Sequence, residues 1–182
     1  MEELIINGYL TQSKLFDVLR RIFGEENVIG EEIPAIPGTR TRFDMAFRKD
    51  STIIIVEMDG DEHYRNSLKI RGDKAKDDWT LAQGYILVRI PYWIQLDSET
   101  FQYFFGFESG FEITTNFNHG FITTRILPAS FCEMGVQRFD CEFEKLPVNV
   151  KTAVLESLSN KSNQFGTEYV LPRSLMYLLN TN

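Results

Sequence analysis

The sequence has few of the residues that mark several common classes of protein. Of its 182 residues only two are cysteine and two are histidine. Two irregularly spaced cysteines, at positions 132 and 141, do not suit a disulfide framework or a cysteine-based zinc site. The first eight residues also lack a basic segment followed by a long apolar run, as a secretory or membrane-inserting segment would have. We therefore expect a cytoplasmic (intracellular) protein with reduced thiols and no membrane partner.

Positive charge is also scarce. The chain carries 19 lysines and arginines against 26 aspartates and glutamates, a net charge of −7, whereas a protein that binds a polyanion alone is usually basic. Nine of those cations nevertheless lie between Arg40 and Lys76. This distribution predicts a local basic rim on an acidic body. With 43% hydrophobic residues the chain is expected to fold throughout.

The most informative stretch, residues 52–59, is a β-branched strand that ends in acidic residues. Its first part, Thr-Ile-Ile-Ile-Val, is typical of a strand buried on both faces, and Glu57 and Asp59 follow directly. Because side chains alternate along a strand, these two carboxylates are expected to point to the same side. Two acids therefore leave one face of a buried strand together.

The residues just before this strand predict that it is half of a β-hairpin. Residues 40–47 alternate in polarity, and the polar residues 48–51 follow as a turn. The resulting register pairs Phe47 with Thr52, Asp44 with Ile55, and Arg42 with Glu57. Asp44 and Glu57 are then diagonal neighbours, about 7–8 Å apart at the backbone. Their carboxylates are expected to reach one ion between them.

Three acids at one strand end favour a bound cation. Asp44, Glu57 and Asp59 would repel one another unless a positive charge lay among them. Magnesium takes oxygen ligands, usually one or two carboxylates completed by waters and phosphate oxygens. The pattern predicts a Mg²⁺ site, in which Mn²⁺ can substitute, that serves phosphodiester hydrolysis.

Four motifs, in order along the chain, carry a resemblance to a known family. They are Asp44, residues 57–64 (Glu-Met-Asp-Gly-Asp-Glu-His-Tyr), residues 73–79 (Asp-Lys-Ala-Lys-Asp-Asp-Trp) and residues 84–93 (Gly-Tyr-Ile-Leu-Val-Arg-Ile-Pro-Tyr-Trp). Together they resemble the PD-(D/E)XK nuclease superfamily, and more narrowly its very-short-patch-repair-like and phage-type branch, over about residues 10 to 95. The resemblance implies a metal-dependent DNA endonuclease, of restriction type or the cleavage subunit of a restriction or nicking enzyme.

The same resemblance implies the fold. It predicts an α/β protein with a restriction-endonuclease-like core, in which a central mixed β-sheet is flanked by helices. We expect this core over residues 1–97 and a C-terminal α/β extension, packed on it, over residues 98–182. In the extension, sequence patterns predict helices at 98–105, 147–160 and 172–179, and a turn with a strand at 119–127.

The resemblance also assigns roles to individual residues. It implies that Asp44 and Glu57 bind the metal, with Asp59 supporting them. The lysine that the family pattern places two residues after the glutamate is Asp59 here. We therefore expect Lys74 or Lys76, on the following helix, to supply the missing cation.

Two further residues in these motifs fit more than one role. His63 is expected to contact phosphate, orient water or simply cap a loop. Asp73 is expected either to cap the helix or to act in the site.

Two other functions remain open at this point. One is a non-enzymatic subunit that uses the same fold for assembly or nucleic-acid binding. A weaker one is a carboxylate-pair hydrolase acting on sugars, which needs one acid kept protonated. Because no DNA-reading element is recognisable, we expect DNA binding to depend on a DNA-recognising subunit or a homodimer. Residues 98–182, which are rich in aromatic residues such as Phe104, Phe107 and Phe117, are expected to contribute the docking surface.

Overall fold

The chain folds into a mixed α/β structure, and the computed structural model describes residues 2–123 and 126–179. The strands are β1 (Glu2–Ile6), β2 (Val28–Pro34), β3 (Arg42–Lys49), β4 (Thr52–Asp59), β5 (Ile86–Pro91) and β6 (Phe111–Thr115). The helices are α1 (Gln12–Phe23), α2 (Glu62–Arg65), α3 (Ser67–Ala82), α4 (Ser98–Phe105), α5 (Glu133–Lys145), α6 (Val148–Phe165) and α7 (Thr167–Val170). Short 3-10 helices cover Glu25–Asn27, Pro128–Ser130 and Arg173–Leu179.

Four strands form one mixed sheet in the order β2-β3-β4-β5. The first three run antiparallel as a meander, and β5 returns parallel to β4 after α2 and α3. A parallel neighbour needs such a crossover, which places a helix against the sheet. The prediction of a mixed sheet flanked by helices is thereby confirmed.

The hairpin forms where it was predicted, but its register was wrong by two residues. The observed pairs include Met45 with Val56 and Lys49 with Thr52. The turn therefore contains only Asp50 and Ser51, and Asp50 adopts a positive φ of 53°, which suits a two-residue hairpin turn. A shift of two residues leaves Met45 and Phe47 on the same face as Ile54 and Val56, as predicted, whereas Phe43 packs on the other side of the sheet.

The ladder between β3 and β4 ends at the pair Met45–Val56. Just beyond it, the Asp44 side chain accepts a hydrogen bond from the Met58 amide, next to Glu57. The two expected metal ligands are therefore close enough for the charge of Asp44 to raise the pKa of Glu57.

The helices that flank the sheet begin and end at recognisable caps. Helix α1 begins after Thr11, whose side chain accepts a hydrogen bond from the Lys14 amide, and it ends at Gly24. Helix α3 begins well before Asp73, because the Asn66 side chain caps it by accepting hydrogen bonds from the amides of Leu68 and Lys69. Asp73 therefore lies inside the helix and is not its N-cap.

The core consists of two clusters on opposite sides of the sheet. The smaller contains Phe43, Ala46 and Ile55 and packs under Trp79 of α3. The larger joins α1 and the sheet to the C-terminal half of the chain. Among its members are Leu15, Leu19, Phe47, Val56, Trp93, Phe139, Val150 and Val154. Residues on both sides of position 97 therefore share one core.

The C-terminal half contains elements that the sequence patterns missed. Strand β6 pairs in parallel with the N-terminal β1, and α5 was not predicted. The helices predicted at 98–105 and 147–160 correspond to α4 and α6, whereas residues 173–179 form a 3-10 helix. No strand is found at 119–123 or 126–127, and residues 124 and 125 lie outside the described residues.

Two of the three aromatic residues expected to form a docking surface are partly buried against the core. Phe104 and Phe107 pack there, and only Phe117 of the three is substantially exposed. No helix in the described part of the chain combines the length and the apolar character needed to cross a membrane.

Candidate active site

The end of β4 carries two clusters of charged side chains. Glu57 belongs to the first, which we call the cavity cluster and which comprises Asp44, Glu57 and Lys76. Asp59, two residues further along, belongs to the second, which we call the arginine cluster. The arginine cluster comprises Asp59, His63, Asp73, Arg89 and Arg138. Glu57 and Asp59 are both almost fully buried, so each needs local compensation for its charge.

In the cavity cluster two carboxylates share one lysine. Lys76 of α3 places its Nζ 2.5 Å from Glu57 Oε1, an ion pair that lacks the alignment of a hydrogen bond. Asp44 Oδ2 accepts a hydrogen bond of 2.7 Å from the backbone amide of Met58. The Lys76 ammonium also lies over the ring of Phe43, at 5.1 Å from its centroid. The cavity cluster therefore carries more negative charge than positive.

The pKa values reflect this imbalance. Burial raises the pKa of Glu57 to about 7, and the charge of Asp44 adds to the effect, while Lys76 opposes it. Burial likewise raises the pKa of Asp44, against the hydrogen bond from Met58 and the charge of Lys76. An additional cation between the two carboxylates would favour the ionised form of both and so lower both pKa values.

These carboxylates line a cavity of about 500 Å³. It lies between the residues that lead into β3 and the first turns of α3. Its remaining lining is mostly charged: Glu32, Arg40, Arg42, His63, Lys69, Asp73 and Lys76, with Thr41, Leu68 and Gly72. Three of the four exposed charged residues in the lining are positive, Glu32 being the exception, and the buried acids outnumber Lys76. This arrangement suits an anionic ligand bound through a cation.

The arginine cluster, by contrast, pairs each acid with a guanidinium. Arg89 Nη1 donates to Asp59 Oδ1 at 2.7 Å, and Arg89 also contacts Asp77. Arg138 donates to Asp73 Oδ2 at 2.9 Å and bonds the second oxygen of Asp59. The carboxylate of Asp59 is therefore held on both oxygens.

His63 lies between the two acids of the arginine cluster. Its Nδ1 is 2.6 Å from Asp73 Oδ2 and 3.1 Å from Asp59 Oδ1. Burial alone would raise the pKa of Asp73, but the hydrogen bond with His63 and the charge of Arg89 lower it below its ordinary value. Two carboxylates beside Nδ1 favour the tautomer with the proton on that nitrogen, which leaves Nε2 as the acceptor.

Helix α5 delivers Arg138 to this cluster through close packing on α2. The Cys132 amide, just before α5, donates to the carbonyl of Tyr64 at 3.1 Å. A Cβ at Gly135 would lie 1.7 Å from the same carbonyl oxygen, so only glycine permits this approach. Glu142 then accepts from Arg138 Nε at 2.8 Å and from the Tyr64 hydroxyl at 2.5 Å. The C-terminal half thus contributes a residue to the strand end.

Both clusters contain atoms able to ligate a metal. Asp59, His63 and Asp73 bring ligand atoms within 4.8 Å of one another and could hold a metal ion. Asp59 and Asp73 already bind two guanidiniums. A metal there would have to displace the guanidiniums or place a further positive charge beside them. Asp44 and Glu57 fit a divalent ion better, because their oxygen donors are undercompensated and Glu57 Oε1 has no aligned hydrogen-bond donor.

The structure brings together most, but not all, of the predicted site residues. Asp44, Glu57 and Lys76 meet in the cavity cluster, and His63 lines the same cavity. Lys74 does not reach it: its side chain is exposed and lies 3.5 Å from Asp78. Positions two apart on a helix lie on nearly opposite faces, so only one of the two lysines can point inward.

Asp59 and Arg42 have different partners from those expected. Asp59 is bound by Arg89 and Arg138 and does not line the cavity with Asp44 and Glu57, although with His63 and Asp73 it could hold a metal ion. Arg42, which the predicted register placed opposite Glu57, donates to the carbonyl of Glu32.

Sequence reasoning missed the two arginines of the arginine cluster. Arg89 lies in the last of the four motifs, and its position opposite Glu57 in the parallel pair β4–β5 follows once that pairing is known. Arg138 had no local signal, because its role depends on the docking of an unpredicted helix.

Comparison of the chain with protein-family models, with curated proteins and with solved structures finds no match. Membership of the PD-(D/E)XK superfamily therefore stays a prediction from the four motifs. Function has to be inferred from the chain's own residues.

Proposed function

We propose that the chain is a divalent-metal-dependent endonuclease that hydrolyses phosphodiester bonds in DNA. The mixed sheet flanked by helices is proposed to be a restriction-endonuclease-like core, which would place the chain among restriction-type enzymes or their cleavage subunits. Mg²⁺ is the proposed ion, and Mn²⁺ is expected to replace it. Since the protein is acidic overall, efficient cleavage is proposed to need a DNA-recognising subunit or a second copy of the chain.

The observation that carries this proposal is the cavity cluster. Two adjacent carboxylates with raised pKa values face a cavity whose lining includes Arg40, Arg42 and Lys69. Acids that remain undercompensated beside free space are suited to binding a cation, and the surrounding cations are suited to binding phosphate. The same cations disfavour a neutral sugar as the substrate.

Each residue of the cavity has a distinct proposed role. Asp44 and Glu57 would hold the ion, which when bound supplies charge neutralisation at phosphate and lowers the pKa of water. Lys76, beside Glu57, is placed to stabilise negative charge that develops on the phosphate. His63 Nε2, with Nδ1 held by Asp73, is placed to accept a proton.

A non-enzymatic subunit is the second candidate, and one observation favours it. The ion pair between Lys76 and Glu57 is buried and short, at 2.5 Å, as in many purely structural pairs. In that case the cavity would bind nucleic acid or a partner without cleaving it. Cleavage separates the two candidates, because a non-enzymatic subunit cuts no nucleic acid whether or not it binds an ion.

The decisive experiment combines plasmid cleavage with metal-dependent melting. The purified chain is incubated with plasmid DNA in Mg²⁺, Mn²⁺ or EDTA, alone and as the variants Asp44→Asn and Glu57→Gln. We expect metal-dependent cleavage that both variants lose, and a melting temperature that Mg²⁺ raises more in the wild type than in either variant.

Asp78→Asn is the matched control, because Asp78 is an exposed acid on the outer face of α3. It should cleave and melt as the wild type does. Full activity in Asp44→Asn or Glu57→Gln would refute the assignment of the ligands. Metal-dependent stabilisation without cleavage of any nucleic acid would favour the non-enzymatic subunit.

A further inference from the structure

The depth of the cavity and the side chains along its walls indicate which form of nucleic acid can bind in it. We propose that the cavity accepts a single nucleic-acid strand, such as a frayed end or a displaced strand, in preference to an intact duplex. The inference rests on the proposed function, since it concerns the substrate of the same site.

The first observation is that the catalytic candidates are recessed. Glu57 is 2% exposed and Lys76 is 6% exposed, and His63 and Asp73 beside them are also buried. A phosphate must therefore enter the cavity to approach them. A duplex is stiff over about 150 base pairs and presents its phosphates on a convex surface, whereas a single strand can bend inward.

The second observation concerns the two walls of the cavity. On one side are residues 40–44, at the start of β3, and on the other are residues 68–76 of α3. Arg40 and Arg42 on the first wall and Lys69 on the second are exposed, so they can hold consecutive phosphates of a strand that passes between them. This arrangement matches a groove that follows one backbone.

The third observation is an apolar side chain among these cations. Leu68 lines the cavity and is 73% exposed, although it neighbours Lys69 in the first turn of α3. A large apolar side chain beside phosphate-binding cations is placed to pack against the face of an unpaired base. Leu81 offers a comparison, because it is 67% exposed on the same helix but lies outside this cavity.

The binding test uses labelled oligonucleotides of about twelve nucleotides, close to the site size of single-strand-binding modules. Fluorescence anisotropy in EDTA compares single-stranded DNA, single-stranded RNA of the same sequence, and the DNA duplex. We expect at least one single strand to bind about tenfold more tightly than the duplex. Equal binding, tighter binding of the duplex, or no binding to any of the three would overturn the proposal.

The variant test uses the two exposed leucines. Leu68→Ser should weaken single-strand binding several-fold, because it removes the base contact, while Leu81→Ser should leave it unchanged. Both substitutions replace an exposed side chain, so loss of folding does not explain a difference between them. Equal effects of the two variants would contradict the assigned role of Leu68.

Cleavage then separates this inference from the proposed function. If the wild type cuts duplex as fast as single strands and Asp44→Asn cuts neither, the strand preference fails while the nuclease assignment stands. If single strands bind preferentially but nothing is cut in Mg²⁺ or Mn²⁺, the strand preference stands and the nuclease assignment fails.

Discussion

The two charged clusters at the end of β4 differ in how their acids are compensated. In the cavity cluster Asp44 and Glu57 share Lys76, and burial raises both carboxyl pKa values. In the arginine cluster, two guanidiniums and His63 surround Asp59 and Asp73. There the partners overcome burial and lower the pKa of Asp73. Buried acids two residues apart on one strand therefore have opposite electrostatic environments.

This difference separates a role in structure from a role in binding. Acids that already have cationic partners hold the protein together, and removing one partner leaves a buried charge unpaired. Two acids that share a single lysine beside a cavity cost stability unless a cation binds them. The arginine cluster is therefore expected to stabilise the fold. The cavity cluster is expected to bind a cation, and to lower the stability of the fold when no cation is bound.

The largest effect is expected from breaking the arginine cluster. Arg138→Met keeps most of the side-chain volume but leaves Asp59 and Asp73 without one of their two guanidiniums. Removing one member of a buried ion network typically costs about 3–5 kcal/mol of the free energy of unfolding. Urea denaturation of the variant and the wild type measures the difference.

Arg65→Met is the matched control for that measurement. Arg65 pairs with Asp61 at 2.9 Å, but solvent screens this exposed pair, so its loss should lower the free energy of unfolding far less than the loss of Arg138 does. If Arg138→Met were as mild as Arg65→Met, the arginine cluster would not be the stabilising one of the two.

The pH dependence of stability should have opposite signs in the two clusters. The pKa of Glu57 rises from 4.5 to about 7 on folding, so its carboxyl favours the folded state most at low pH. As the pH rises from about 4.5 to 7, stability should fall by at most about 3 kcal/mol through this residue. The pKa of Asp73 is lowered, so its contribution is present above its ordinary value of 3.8 and is lost as the pH falls below it.

Urea denaturation at a series of pH values, without metal, tests this contrast. Glu57→Gln should flatten the fall in stability toward neutral pH, because an amide does not titrate. Adding Mg²⁺ at pH 8 should recover part of the lost stability in the wild type and not in the variant. An unchanged pH profile in Glu57→Gln would show that ionisation of Glu57 does not cause the fall in stability.

The sequence could predict the cavity cluster because its acids lie in one hairpin. Strand alternation and a short turn place Asp44 and Glu57 together, and an error of two residues in the register preserved their common face. Helix periodicity could show that Lys74 and Lys76 point to different sides, but not which one points inward. That choice depends on how α3 packs on the sheet.

The arginine cluster could not be predicted in the same way, because its members come from distant elements. Arg138 reaches Asp59 across 79 positions in the chain, on a helix whose close approach depends on Gly135. No local pattern encodes such a contact. Asp59 was therefore grouped with the other acids, although the folded chain gives it two arginine partners.

The two lysines of α3 test the cavity cluster kinetically. Lys76→Met removes the cation beside Glu57 and should lower the cleavage rate by about 100-fold, while it retains the apolar stem. Lys74→Met, the matched control, should cleave at the wild-type rate because Lys74 faces solvent. Normal rates in both variants would mean that the stabilising cation lies elsewhere.

The smallest expected effect is on the salt dependence of single-strand binding, which counts the phosphate contacts at the cavity. If Arg40, Arg42 and Lys69 each contact one phosphate, the logarithm of the association constant should fall with the logarithm of salt concentration with a slope of about −2. Lys69→Met should reduce that slope by about 0.7, whereas Lys74→Met should leave it unchanged. A steep slope near −7, together with tight duplex binding by the chain alone, would instead indicate an extended DNA interface. In that case the chain would not need a separate DNA-recognising subunit.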